Sequence, residues 1–314
     1  VIQKIQSVNL DANESVFFAR ELEHIKAQSY DVKYPEYKAT RLIPVSGDAG
    51  PGARTITYRQ FDSVGVMKII ADYATDLPRS DVKGKEFTSP VRSLGGSYGY
   101  SIQEIREAQM ANRPLEQRRA NAVRRANEQA VNRIAWLAKT DDGTNGGLQG
   151  LLYNPNVTSG AATTGDWATA TPAEILADMN KAVRDMLVLT KGVEVPDTVL
   201  LPVDQFAQIQ QTRLDSGTDT TIMEFFLKNN PSITSIEWVN ELAGLNPKPS
   251  GAASATDVMV LYRRSPDVLT LEIPQDYEQF PAQEKGLAFM VPAHSRIGGV
   301  IVYYPLAISI VEDI

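Results

Sequence analysis

The chain has 314 residues, 43% of them hydrophobic and 22% charged, with 31 Lys and Arg against 38 Asp and Glu for a formal net charge of −7. That length allows about two domains at roughly 150 residues each, and the composition is ordinary for a globular chain with a sizeable core. The absence of cysteine and the presence of only two histidines, His24 and His294, exclude disulfides, thiolate zinc sites, iron–sulfur clusters, cysteine nucleophiles and multi-histidine metal centres.

A Ser/His/Asp triad would have to use one of those two histidines. The pI near 5.1 argues against a surface that is basic throughout, although it leaves room for one basic face. No apolar run approaches the ~20 residues of a membrane span, and no charged-then-apolar segment opens the chain.

In chain order, residues 1–37 read as a polar arm. A weak helical stripe (Val16, Phe17, Ala19, Leu22, Ile25) runs through 14–28, with His24 on its polar side. Residues 30–35 are expected to be extended, since the residue before proline avoids the α region. A short strand is expected over 41–45, then a turn over 46–52, rich in Gly and Pro. Residues 55–61 alternate as a strand, and 64–71 continue apolar. Residues 72–87 set four acids and three bases around Tyr73, Leu77, Pro78 and Val82, and 88–100 return as a strand. The whole is a long two-stranded excursion with a polar tip of mixed charge. A lone two-stranded ribbon is marginal in water, so it packs on its own domain or on something else.

Residues 102–139 carry the strongest helical signal, interrupted at Arg113–Pro114. After the break Val123, Ala126, Ala130, Ile134 and Leu137 form a narrow apolar stripe. Between Arg113 and Arg133 six arginines face two glutamates, a local +4. One reading is a solvated face with i,i+4 pairs such as Arg124 with Glu128. The other is a basic face (Arg118, Arg119, Arg124, Arg125) for phosphate or an acidic neighbour. No aromatic residue interleaves, so base stacking is not indicated.

Residues 139–165 are loop-rich. Asp141–Gly147 is a Gly/Asn/Asp turn, without the alternating ligands and closing Glu of a calcium loop. Thr171 with Glu174 forms a capping box, with Pro172 at the first helical position, and opens a helix with a broad apolar face. Strands are expected over 197–202, 233–239, 258–262, 268–273, 287–291, 298–305 and 306–311, and short helices over 204–213 and 220–228. His294 is expected in a turn between the two late strands. There is no Walker loop and no GxGxxG, and no catalytic constellation, metal site or cofactor site emerges. Long helices mixed with scattered strands predict an α+β fold.

Several stretches, in this order, resemble the major capsid proteins of tailed bacteriophages, the Hong Kong 97 fold that encapsulin shells share. They are Tyr98-Gly99-Tyr100-Ser101-Ile102, Gly147-Leu148-Gln149-Gly150-Leu151-Leu152-Tyr153-Asn154, the stretch from Thr171 to Asp178, and Pro292 to Val300. The resemblance covers essentially the whole chain and implies a non-enzymatic shell subunit. In it, residues 1–37 are an N-terminal arm. Residues 38–169 and 264–314 form a peripheral domain, with an extended E-loop at about 57–96 and a spine helix at about 102–139. Residues 170–263 form the axial domain.

The resemblance implies self-assembly into hexamers and pentamers of an icosahedral shell around double-stranded DNA, held without sequence preference. It also implies portal, scaffold or decoration partners, no membrane and no cofactor, and a place in the virion after assembly in the host cytoplasm. The inter-subunit loop tip would comprise Tyr73, Asp76, Leu77, Pro78, Arg79, Asp81, Lys83, Lys85 and Glu86. One family member crosslinks a lysine of this loop to an asparagine; Lys83 and Lys85 lie in that region, with no assignable partner. An encapsulin-like nanocompartment is the alternative, and a soluble hydrolase using His294 as base is the remote one.

Overall fold

The computed structural model describes residues 32–67, 79–111, 115–140, 145–215 and 217–314. Residues 1–36 and 37–314 are separate compact units. Of the first only 32–36 are described, without regular structure, so the stripe at 14–28 and His24 lie outside the described residues. So do the Arg113–Pro114 break and Asp141–Thr144 of the Gly/Asn/Asp turn.

The second unit begins with a helical turn, α1 (Ala39–Leu42), and a two-residue strand, β1 (Val45–Ser46). Of the strand expected over 41–45, only Val45 is in a strand, and Arg41 and Leu42 belong to the helical turn. Asn132 Oδ1 accepts a hydrogen bond from the Ala39 N–H at 3.1 Å, and the buried Tyr262 hydroxyl donates to the Leu42 carbonyl at 2.7 Å. Those two tertiary bonds hold the turn where local propensity would extend it.

Strands β2 (Thr55–Val64) and β3 (Asp81–Pro90) pair antiparallel over ten registers, from Thr55 with Pro90 to Val64 with Asp81. The chain then leaves this ribbon. Val91 is buried, and β4 (Arg92–Ser101) pairs along its full length with β12 (Ala288–Ile297). The described ribbon strands thus run over 55–64 and 81–90, and the 92–96 part of the expected 57–96 excursion belongs to the body sheet.

Helices α2 (Ile102–Ala111) and α3 (Leu115–Leu137) follow. The expected stripe is shifted in α3. Ala126 is exposed, while Val131, Ile134, Ala135, Trp136 and Ala138 are buried. The last turns are covered on nearly all sides because the chain comes back over them. Gly150 N–H donates to the Ala138 carbonyl (2.9 Å), Leu151 N–H to Ala135 (2.8 Å) and Leu152 N–H to Trp136 (3.2 Å). Carbonyls that a helix end leaves without partners are thereby satisfied, while Leu148, Leu151 and Leu152 go into the core.

Next come β5 (Thr158–Ala161), α4 (Pro172–Leu189), β6 (Thr198–Leu201), α5 (Val203–Gln211), α6 (Ile222–Asn229), β7 (Ser235–Trp238) and β8 (Val258–Tyr262). The capping box of α4 is present: the Glu174 carboxylate accepts from the Thr171 N–H at 2.8 Å and from its hydroxyl at 2.6 Å. A second one, Thr221 with Glu224, opens α6. Strands β9 (Leu269–Glu272), β10 (Gln275–Gln279), β11 (Gln283–Lys285), β12, β13 (Gly299–Val302) and β14 (Ile308–Glu312) complete the chain. Strands β5, β10 and β11 were not anticipated from sequence.

His294 does not sit in a turn. It lies inside β12, opposite Gly95 of β4 and Glu278 of β10. Pro292 made the segment look like a turn, since a proline has no N–H for a ladder. The strand tolerates it where β10 and β11 leave a gap: β11 pairs with Ala288–Met290, and β10 pairs with Ala293, His294 and Arg296.

The five-stranded sheet has the order β5-β14-β8-β6-β7 and separates two cores. Leu200, Val258, Val260, Tyr262, Ile308 and Ile310 face the first core, with Trp136, Leu148, Leu151, Leu152 and Leu271. Val199, Leu201, Met259 and Leu261 face the second, with Trp167, Met179, Val183, Met186 and Phe226. Burial on both faces explains why β6 and β8 read as apolar runs and not as alternation. The sheet takes β5 and β14 from outside 170–263. Among the described residues, no helix is long and apolar enough to cross a membrane.

Candidate inter-subunit surfaces

The ribbon β2–β3 has a fixed root and a free half. At the root, Tyr58 stacks on Phe87 with centroids 5.1 Å apart and meets Tyr303 edge-on at 4.9 Å. Its hydroxyl donates to the Val302 carbonyl at 3.3 Å, and the Ser89 hydroxyl donates to the Gly298 carbonyl at 3.1 Å. Burial raises the Tyr58 pKa above the usual tyrosine value, with Tyr303 adding to the shift. The root therefore stays neutral. Beyond it, Arg59 to Val64 and Asp81 to Glu86 are exposed on both faces.

Of the expected loop-tip residues, Tyr73, Asp76, Leu77 and Pro78 lie outside the described residues. Arg79, Asp81, Lys83, Lys85 and Glu86 are exposed. Glu86 pairs with Arg59 across the ribbon at 2.7 Å, and Lys85 Nζ sits 4.7 Å from the centroid of the Phe87 ring. Sequence reasoning missed Phe61 as a surface residue. Its alternation in β2 was visible, but which side it faces depends on the register with β3.

The basic helix face divides. Arg119 makes a two-pronged pair with Glu104 of α2 (3.0 and 2.9 Å) and also donates to the Gly99 carbonyl. Hydrogen bonds from Arg119 and from the Ser101 N–H hold the Glu104 carboxyl down to about 2. Arg119 thus ties α3 to α2 and to the end of β4. Arg124 makes the expected i,i+4 pair with Glu128 at 3.4 Å; exposed pairs of this kind contribute only about 0.3–0.5 kcal/mol. Arg118 is exposed and Arg125 half-buried. No convergent metal-ligand cluster occurs among the described residues.

A family profile described as "Major capsid protein" matches residues 65–314. A search of curated proteins finds no match. Among solved structures, the capsid of Myoviridae phage XM1 superposes with a TM-score of 0.82 at 17% identity, over 96% of this chain and 99% of that one. A structure from Mycobacterium phage Ogopogo gives 0.59 at 12% identity, over 96% and 100%. A virus-like particle from Pyrococcus furiosus gives 0.51 at 12%, over 86% and 90%. The α+β architecture is thus of the Hong Kong 97 type. With that fold spanning the chain and the profile matching most of it, the chain belongs to the major capsid protein family and is a virion shell protein.

Proposed function

We propose that copies of this chain self-assemble, without any enzymatic step, into hexamers and pentamers of an icosahedral shell that encloses double-stranded DNA. The observation that carries this reading is the ribbon, locked at its root and exposed on both faces beyond it. A ribbon of that kind gains stability by lying on another molecule. A closed shell requires two different faces of one subunit to complement each other.

In this reading residues 55–90 are the E-loop and residues 1–37 an arm along a neighbour. Helices α2 and α3 form the spine of a peripheral domain. Residues 170–263, joined by β5 and β14, are the axial domain that meets its copies at capsomer centres. The nanocompartment reading is second. The likeness to the Pyrococcus furiosus virus-like particle is looser and covers less of this chain than the likeness to the phage XM1 capsid.

Electron microscopy of the purified protein is expected to show closed shells; small oligomers alone, under all assembly conditions, would sink the proposal. Packaged DNA as against packaged protein separates capsid from nanocompartment. Neutralising Arg118, Arg124 and Arg125 together is expected to weaken DNA retention in a salt-dependent way. An unchanged salt response would assign these charges to pairs within the chain. Arg119→Gln is a different perturbation, because it releases α3 from α2 through Glu104.

A further inference from the structure

The ten-register pairing of β2 with β3 sorts the free half of the ribbon into two unlike faces, because directly paired residues project to the same side. One face carries Arg59 with Glu86, Phe61 with Gly84, and Ser63 with Val82. The other carries Gln60 with Lys85, Asp62 with Lys83, and Val64 with Asp81. The first holds the large apolar surface: Phe61 is 68% exposed and Val82 62%. The second is dominated by charge.

The pairing of Phe61 with glycine shapes the first face. A Cβ on Gly84 would stand 2.9 Å from Phe61 Cε1. Only glycine lets the ring lie flat across the ribbon, in the manner of an aromatic side chain covering a cross-strand glycine. A ring laid flat beside Val82 makes a low, continuous apolar patch, suited to contact with a flat protein surface.

We propose that the Phe61–Gly84–Val82 face is the side on which the ribbon docks on a second copy of this chain, with the Asp62–Lys83 face left to solvent. This rests on the reading of the ribbon as an inter-subunit element and adds its orientation. A second copy is the occupant the charges favour. Arg59, Lys83 and Lys85 balance Asp62, Asp81 and Glu86. A charge-neutral ribbon has no attraction for a polyanion and none of the self-repulsion that would keep like copies apart. At the root, Tyr58 and Phe87 lie on the same pleat face as Asp62 and Lys83. The chain's own body therefore takes one side of the ribbon, and the partner takes the other. Charge on the solvent side keeps the unassembled ribbon from pairing indiscriminately.

The test compares full-length variants for shell formation by light scattering and electron microscopy, with circular dichroism as the check on folding. Phe61→Asp and Val82→Asp are expected to raise the concentration needed for assembly by roughly tenfold or more, as for loss of a central apolar anchor. Phe61→Leu is expected to assemble near the normal concentration. Asp62→Lys and Gln60→Lys, one residue away on the opposite face, are expected to leave assembly unchanged. A variant with the ribbon cut back to Gln60 and Lys85 is run alongside. Normal assembly of Phe61→Asp and Val82→Asp, with failure of the cut-back variant, overturns the orientation and leaves the ribbon reading standing. Loss of assembly in Asp62→Lys, with normal assembly of Phe61→Asp, reverses the orientation. Normal assembly of the cut-back variant removes the ribbon reading and the orientation together.

Discussion

Cutting the ribbon back to its root is expected to abolish shell formation while leaving the body folded. Gln60 and Lys85 are cross-strand partners, so an Asn-Gly turn between them makes a two-residue hairpin of favoured geometry. The variant keeps the Tyr58–Phe87–Tyr303 cluster and the Ser89 bond to Gly298. It removes Phe61, Val64, Val66, Met67 and Val82, all exposed in the single chain. Full burial of a side chain of this size is worth about 1.5–3 kcal/mol, so cover of Phe61 and Val82 on the docking face is on the order of 3 kcal/mol per contact. That is about a hundredfold in the equilibrium constant of each contact. Each subunit would lose it twice, once as donor and once as acceptor. A circular dichroism spectrum and melting temperature close to those of the intact chain, with no particles by electron microscopy, is the expected pair of results. Particles of normal size would show that the ribbon is dispensable.

Gly150→Val is expected to damage the fold itself. A Cβ at this position would lie 2.7 Å from the Ala138 nitrogen, 2.8 Å from the Ile134 carbonyl oxygen and 2.9 Å from the Trp136 carbonyl carbon. All three are backbone atoms of α3 and its end, so no side-chain rotation relieves the clash. Moving the segment outward would break the three hydrogen bonds that satisfy the end of α3 and lift Leu148, Leu151 and Leu152 from the core. Overpacking of this kind with loss of buried bonds costs on the order of 3 kcal/mol or more. The expected readout is a melting temperature lower by roughly 6–12 °C, or insoluble protein. Gly50→Ala, where nothing lies within 4 Å of the new Cβ, is expected to leave the melting temperature unchanged. A Gly150→Val protein as stable as the parent would mean that the segment closes over α3 less tightly than these distances require.

Local signals carried the helices well. Thr171, Pro172 and Glu174 marked the start of α4 because a capping box is written in four adjacent residues. The arginine-rich turns marked α3, yet its buried face was misjudged at Ala126. Its last turns are covered by Gly150 to Leu152, which no helical period can reveal. His294 was misread for the same kind of reason. A proline looks like a turn until the gap between two partner strands makes room for it. The ribbon was legible as two strands, but its faces were not, since a change of one residue in register exchanges them. In the basic face, the pair of Arg124 with Glu128 was local and foreseeable. That of Arg119 with Glu104 spans a helix break and was not.

The placement of β14 has a consequence for how the molecule comes into being. This strand lies between β5 and β8, and its residues feed both cores: Ile308 and Ile310 on one side, Val311 on the other. On the ribosome β5 emerges long before the strand that will hold it, and the sheet stays open until residues 308–312 arrive. Pairings so distant in sequence are slow to form, because loop closure is paid before the contacts reward it. The two cores are thus completed by one event and are expected to melt in one transition. Until then the open edges of β5 and β8 and the uncovered apolar faces of both cores leave the nascent chain prone to association.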